Sequence, residues 1–470
     1  MVQFVKINKM LEILLNKNEK IYIQIYYKLK ELIEKEELKG RIFSIRELAK
    51  KLNVSNFSII KAYEELEKDG YISIKSGSGA YVIYNKTKKF FPEDHMENEI
   101  FKFEYFNDKC NIDFSVASPS ADIFPIDELK KSINDILDRD GGEALLYENP
   151  LGYIGLRESI KKQLQEEGIE TEINKIQIVS GAQQGINIIS EILIHSGDTV
   201  VTEDPVYKGA ITSFKNNGAQ IKKINLKRDG INFNSLEKIL KKEKIKFIYI
   251  TSNYQNPTGI VMSDKKKIEL LRLANKYNFY ILEDDCNSDI YFSSEKIKSI
   301  KSYDKYDKVI YIKSYSKIFM PGFRLGFIIA PSQISNSVLN RKYYSDISNS
   351  GLNQRIFQYF LEKGTWKKYI EKSKKIFMKK QLLMYKELKK IEGIKVKKPN
   401  GGMNLWIKLP YDITGEAVYI KLLKNGVKIL PGTIFSEKAY NFIRMSYAQC
   451  SDSQIIEGVK LLGKVIEELK

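Results

Sequence analysis

The sequence predicts a two-part chain: an α/β body, built on a mostly parallel sheet wrapped by helices, preceded by a small helical module that closes with a hairpin. Two patterns carry this. From Asp113 onward, helical patterns alternate with short apolar runs at 176–179, 199–202, 247–251, 280–283, 309–312 and 325–330, as in successive strand–helix units. Before residue 84, apolar stripes recur three times at helical spacing and two strand-like runs follow. The composition agrees. At 470 residues, 43% hydrophobic and 29% charged, with 11 Pro and 28 Gly, there is material for two or three domains, and a disordered or collagen-like chain is excluded.

In the first module the apolar positions Tyr22, Ile25, Tyr26, Leu29, Leu32 and Ile33 mark one helix face, which Gly40 ends or follows. Ser44 is placed to cap a shorter helix with Ile45, Leu48, Ala49 and Leu52 inward. Asn53-Val54 makes a tight connection, and Ser55 opens a third helix facing inward through Ile59, Ala62, Tyr63 and Leu66 and ending at Gly70. Residues 71–74 and 80–84 read as strands around a tip at 75–79. Three helices, a short turn and a hairpin form the winged helix-turn-helix plan. The third helix presents Ser55, Asn56, Ser58 and Lys61 opposite its core face, toward base edges or phosphates, with Arg46 and Lys75 flanking them. The same periodicity also suits a plain helical bundle with a solvated face.

Net charge does not choose between these. The chain carries +18, but residues 1–84 hold 15 basic and 11 acidic side chains, a density close to that of the remainder. Three cysteines, Cys110, Cys286 and Cys450, are odd in number and far apart, which suits a reducing cytoplasm rather than a disulfide framework. Two histidines, His95 and His195, leave little for a His-rich metal site or a Ser-His-Asp triad, so no metal site is expected and lysines and carboxylates must carry any chemistry. No apolar run approaches the ~18–20 residues of a membrane span, and the opening residues MVQFVKINKM show no export signal. Residues 85–110, charged and aromatic without a sustained period, read as a linker between a domain at 1–84 and one at 111–470.

The ends of the predicted strands carry the chemistry. The first run leads into Ser180-Gly181-Ala182-Gln183-Gln184-Gly185, small residues opening a helix whose N–H groups suit a phosphate. The third leads into Ser252-Asn253-Tyr254-Gln255-Asn256-Pro257-Thr258-Gly259, and the fourth ends in Glu283-Asp284-Asp285. After the fifth come Lys313-Ser314-Tyr315-Ser316-Lys317 and then Arg324. Each alone is weak, since charged strand ends are usually just solvated. Together they offer a phosphate cradle, a carboxylate, a lysine and an arginine where open α/β sheets bind ligands. That set fits pyridoxal 5′-phosphate, whose aldehyde needs an amine and whose ring nitrogen needs a carboxylate.

Two family resemblances sharpen these expectations. EKIYIQIYYKLKELI, FSIRELAKKLNVSNFSIIKAYEELEKDGYI and SGSGAYV, spanning 19–83, resemble the GntR-type winged helix-turn-helix of bacterial regulators. The resemblance implies DNA contact from this helix and from the wing that bears Gly77. Asn56 stands where that family commonly has Arg; it can read adenine but adds no charge. SGAQQG, EDPVY, NPTG, EDD and SYSKIFMPGFRLGF resemble the fold-type I aminotransferases, from about residue 112 to the C-terminus. This implies a large part at about 140–350 and a smaller C-terminal α+β part at about 351–470.

By this resemblance, Lys317 would be the aldimine lysine and Asp284 the partner of the pyridinium nitrogen. Asn256 would bond the phenolic oxygen, and Tyr207 would stack on the ring. Ala182 and Gln183 (through their backbone), Ser314, Ser316 and Arg324 would hold the phosphate. Tyr147 would reach across a dimer to the partner's phosphate, and Arg444 would clamp a substrate carboxylate. Cys286 replaces a tyrosine that also bonds the phenolic oxygen; it either tunes the site or is simply a small buried residue. The two resemblances together are those of the MocR family. They imply a PLP-dependent regulator, a head-to-tail domain-swapped homodimer on double-stranded DNA with paired half-sites, with PLP, an amine or an amino acid as effector. A working aminotransferase, or a DNA-binding protein using the large domain only as a scaffold, are the alternatives.

Overall fold

The computed structural model describes residues 21–35, 37–38, 40–68, 71–75, 79–82 and 110–470. The chain divides into two compact units, Met1–Glu99 and Ile100–Lys470. Gly70, the hairpin tip with Gly77, and the expected linker up to residue 109 lie outside the described residues.

The first unit contains helices α1 (Ile21–Glu34), α2 (Ile45–Leu52) and α3 (Asn56–Lys68), then strands β1 (Ile72–Lys75) and β2 (Gly79–Val82). Ser44 caps α2 in a reciprocal box: its hydroxyl accepts from the Glu47 N–H at 3.3 Å, and the Glu47 carboxylate accepts from the Ser44 N–H at 2.9 Å. Asn53 takes the left-handed conformation (φ 51°) that turns α2 into α3. Ile25, Leu29, Leu48, Ile59, Ala62, Leu66 and Ile72 form the core. Tyr63 donates to the Phe43 carbonyl at 2.7 Å, fastening α3 to the segment before α2. The antiparallel hairpin pairs Ile72 with Val82 and Lys75 with Gly79.

The second unit enters through β3 (Ile112–Asp113), α4 (Ile126–Asp140) and α5 (Ile154–Glu166). Its eight-stranded sheet comprises β4 (Ile176–Val179), β5 (Thr199–Asp204), β6 (Gln220–Lys227), β7 (Gly230–Ile231), β8 (Phe247–Ile250), β9 (Tyr280–Asp285), β10 (Val309–Ser314) and β11 (Gly326–Ile329), in the order β4-β11-β10-β9-β8-β5-β6-β7. The run from β10 to β6 is parallel; β11 opposes both its neighbours and β7 opposes β6. Helices α6 (Ala182–Leu193), α7 (Lys208–Asn216), α8 (Phe233–Leu240), α9 (Asp264–Tyr277) and α10 (Ser335–Asp346) connect and cover the sheet. One core unites α6, α7 and α10 with one face; a larger core unites α5, α8 and α9 with the other. Helices on both faces explain why the central strands read as unbroken apolar runs rather than alternations.

The rest of the unit holds α11 (Gly351–Glu362), α12 (Thr365–Leu388), β12 (Lys395–Val396), β13 (Asn404–Lys408), α13 (Gly415–Lys424), β14 (Val427–Lys428), β15 (Leu430–Pro431), β16 (Phe442–Ser446) and α14 (Asp452–Leu469). Its antiparallel sheet runs β12-β13-β16-β15, while β14 pairs with β3 across more than 300 residues of chain. Strands β6 and β7 are absent from the sequence-based expectation. β6 lies near the sheet's edge, and only Ile224 of QIKKINLK is buried, so it lacks the apolar run used to find the others.

Gly185 lets α6 approach the sheet: a Cβ there would lie 3.1 Å from Ile312 Cδ1 and 3.3 Å from Ile328 Cγ1. Gly185→Val should therefore overpack this contact and cost about 1–3 kcal/mol, seen as a lower urea midpoint at unchanged slope.

Candidate functional site

Sheet register builds the site. β9 pairs with β10 so that Asp284 stands opposite Ile312 and Asp285 opposite Lys313. Because alternate residues leave opposite faces, the acids of Glu283-Asp284-Asp285 separate. Asp284 lines a cavity of about 310 Å³ with Cys286, Ser314, Ser316, Lys317 and Arg324. The same cavity takes Gly181, Ala182 and Gln183 from the start of α6, Tyr207 from the start of α7, Asn256, and Arg444 from β16.

Asp284 is buried there and Lys317 is half-buried. Lys317 Nζ lies 5.2 Å from the Tyr207 ring centre, and among the described residues no carboxylate is within ion-pair distance of it. Burial opposes its ammonium, but the groups at Cys286, Tyr207 and Asp284 outweigh that and raise its pKa. Asp284 Oδ2 accepts from Tyr249 Oη at 2.7 Å, whereas Oδ1 has no hydrogen-bond partner among the described residues. Burial pushes this carboxyl upward, against the opposing effects of Tyr249 and Lys317. Burial, with Asp284 nearby, pushes the Cys286 thiol up to about 12, so it is a neutral wall residue.

At the opposite end, Gly181 (φ +97°) opens α6. A Cβ on it would stand 3.3 Å from Arg324 Nη2 and 3.6 Å from both Ser314 Oγ and Ser316 Oγ. Hydroxyls, guanidinium and a helix N-terminus thus converge on one small cradle, the donor set of a phosphate site. The Gln183 amide donates to Ser213 Oγ at 2.9 Å, so its side chain is committed elsewhere. Arg444 is buried; its Nη1 donates to Asn256 Oδ1 at 3.2 Å and its Nη2 to the Ser115 carbonyl.

The structure thus brings Lys317, Asp284, Asn256, Ala182, Gln183, Tyr207, Ser314, Ser316, Arg324 and Arg444 to one cavity. Tyr147 is not among its lining residues; it is 84% exposed, in a separate groove with Ser348, Asn349 and Leu352. Sequence reasoning missed Tyr249, which orients Asp284, and Ser115 to Ser118, which line the cavity. Tyr249 sits two residues before the register partner position of Asp284 in β8, a relation visible only after the strands are paired. In the first unit Arg46, Ser55, Asn56 and Lys61 are exposed and Ser58 is half-buried. Ser55 Oγ accepts from the Ser58 N–H at 3.2 Å and so caps α3. Lys75 closes β1 opposite Gly79.

Residues 109–462 match the family model described as aminotransferase class I and II, three quarters of the chain. The chain belongs to the class I and II aminotransferase family. Residues 21–82 of this aminotransferase-family protein match the bacterial regulatory proteins of the gntR family, and the two matches together make the MocR-type architecture. It is 30% identical over 476 residues to the uncharacterized HTH-type transcriptional regulator YdfD of Bacillus subtilis, covering 95% of this chain and 96% of that one. It is 31% identical over 361 residues to aromatic-amino-acid aminotransferase 1 of Thermococcus litoralis, covering 74% of this chain and 86% of that one. Among solved structures it resembles LysN, the α-aminoadipate aminotransferase of Thermus thermophilus complexed with N-(5′-phosphopyridoxyl)-L-leucine, with a TM-score of 0.73 and 27% identity over 80% of this chain and 95% of that one.

A second lysine marks the contrast with Lys317. Lys313, on the other face of the sheet, is held by Asp285 (3.5 Å) and Asp289 (2.9 Å), and Lys296 joins Asp289 (2.5 Å) to Glu167 (2.6 Å). Burial opposes the Lys313 charge, but Asp285 and Asp289 hold its pKa well up. Lys313→Met should leave the buried Asp285 without a cation, and Asp289 with Lys296 alone, and cost about 3–5 kcal/mol, measured by denaturant unfolding.

Glu203, at the end of β5, is also buried, and among the described residues no cation pairs with it; its carboxylate accepts from the Thr251 N–H at 3.1 Å. Burial raises it from 4.5 to about 8. The folded state therefore holds a proton that the unfolded chain has lost between those values, and this group's contribution to stability falls as pH rises from 4.5 to 8. Glu203→Gln should flatten that decline, seen by comparing unfolding free energies of the two proteins across the interval.

Proposed function

We propose that this protein is a DNA-binding transcriptional regulator of the cytoplasm. Its aminotransferase-type domain holds pyridoxal 5′-phosphate and converts the arrival of the cofactor, or its reaction with an amine or amino acid, into altered DNA binding. The observation that carries this reading is the coexistence of a helix-turn-helix module with a complete lysine–carboxylate–anion-cradle cavity. The full-length similarity to a protein named as an HTH-type regulator supports it.

The cavity fits the cofactor on its own terms. Asp284 Oδ1 is a buried acceptor without a donor, and a protonated ring nitrogen supplies one. The Gly181 cradle suits a phosphate: the main chain of Ala182 and Gln183 with Ser314, Ser316 and Arg324 would hold it. Lys317 would be the attachment point, since it lines the cavity and among the described residues no carboxylate is within ion-pair distance of its Nζ. Tyr207 would flank the ring and Asn256 would bond its hydroxyl edge. Cys286 contributes a neutral thiol where a tyrosine hydroxyl is expected. Arg444 would bind the carboxylate of an incoming amino acid. When bound, the cofactor supplies a reactive aldehyde and an electron-withdrawing ring; the protein supplies placement, burial and charge.

Regulation requires that the ligand bind one arrangement of the protein better than another. A homodimer, head to tail, would set the spacing of two DNA modules on paired half-sites. Its support is the exposed apolar surface around Tyr147, with Leu145 and Leu146 each at least 60% exposed. In that dimer Tyr147 would reach the partner's phosphate cradle.

Purified protein supplied with the cofactor should absorb near the edge of the visible range and gain one cofactor mass after borohydride reduction, and Lys317→Ala should lose both signals. Shifts of promoter fragments near the coding region should depend on the cofactor in wild type and not in the variant. A wild-type protein that traps no cofactor overturns the reading. The intact Arg444–Asn256 pair favours a second reading, a working aminotransferase, which requires keto-acid-dependent turnover at ordinary enzyme rates of roughly 1–1000 per second.

A further inference from the structure

The DNA-facing helix displays a residue that neither its core nor the reading above uses. Phe57 is 65% exposed in the first turn of α3, and Ile60, one turn on, is 37% exposed. With Asn56, Lys61 and Glu64 they make one solvent-facing stripe opposite the buried Ile59, Ala62, Tyr63 and Leu66. Lys61 Nζ lies between two rings, 5.4 Å from the centre of Phe57 and 5.1 Å from that of Tyr22. The stripe therefore carries a cation held beside a ring, a large apolar ring and an amide, in that order toward the helix N-terminus.

We infer that Phe57 is a base-reading residue that packs on the 5-methyl group of thymine in the major groove, so that the half-site read by this helix contains thymine. The inference deepens the proposed DNA binding and rests on it. A recognition helix contacts base edges mainly through its N-terminal residues, which is where Phe57 and Asn56 stand. In the major groove only thymine presents an apolar group, its methyl, and an exposed phenylalanine is a matching surface. Asn56 beside it matches the N6/N7 edge of adenine, so the two neighbours read A·T pairs. Lys61, anchored over the Phe57 ring, answers the phosphates. The neighbouring amide and the cation held beside the ring point this apolar patch to duplex DNA rather than to a second protein.

The test uses the full-length protein and a pool of duplexes with a randomised core. Selection should enrich a site with thymine at a fixed position in each half. Replacing that thymine by deoxyuridine removes only the methyl group and should weaken binding about fourfold, the worth of one buried methyl. Phe57→Ala should bind thymine and uracil duplexes equally, while Phe57→Leu should retain part of the discrimination. Equal binding of both duplexes by wild type overturns the inference, as does undiminished discrimination by a folded Phe57→Ala. Since the uracil measurement needs no variant, it decides the matter even if Phe57→Ala fails to fold. Enrichment of a site indifferent to every uracil replacement overturns the role of Phe57 and leaves DNA binding intact. Failure to bind any duplex at low salt overturns both.

Discussion

A buried ion pair holds the register on which the site depends. Lys313 reaches Asp285 and Asp289 on one face of the sheet, and the pairing of β9 with β10 places Asp284 on the other. Moving β9 by one residue would send Asp284 away from the cavity and bring Asp285 into it. It would also bury Lys313 without a counter-ion, a far larger loss than any local hydrogen bond could offset. Two lysines four residues apart thus have opposite surroundings. One is neutralised within the framework, and the other stands in the cavity with no carboxylate within ion-pair distance among the described residues.

The same division governs the buried acids. Glu283 accepts from the N–H groups of Ile300 and Lys301 at 2.8 and 2.9 Å and from Ser252, and Glu203 is held by Thr251 and Gln255. Each is supplied with donors by its own surroundings. Asp284 is different: one oxygen is tied to Tyr249 and the other faces the cavity without a partner. A buried carboxylate oxygen without a donor, on a residue that lines a cavity, points to a ligand. At the far end of the cavity, the glycine that opens α6 leaves room where two serine hydroxyls and Arg324 meet. The two ends together give the cavity an unpartnered carboxylate oxygen on one side and an anion-suited cradle on the other.

The N-terminal module uses a different physical economy. Its core is small, and its order owes much to local devices: the Ser44–Glu47 capping box, the left-handed Asn53 and the Tyr63–Phe43 hydrogen bond. These free the outer stripe of α3 from structural duty, which is why an exposed aromatic there carries information about what the helix meets.

Local chemistry made much of this legible before any fold was known. Ser44 and Ser55 announce helix starts because a hydroxyl can satisfy an orphan N–H only there. Six apolar runs announce the central strands because both faces of those strands are covered. The motifs at the strand ends named the cavity residues because parallel strands bring their C-terminal ends to one side. What the sequence could not disclose were relations between distant residues. The partnership of Tyr249 with Asp284, the pairing of β3 with β14, the sorting of Lys313 from Lys317 and the presence of the weakly apolar β6 follow from register and contact across the fold. Tyr147 makes the same point from the other side. Its motif assigns it to a phosphate, yet within one chain it stands exposed and outside the cavity, since a residue's neighbours are decided by tertiary packing and assembly, whereas its local conformation is decided by the few residues on either side.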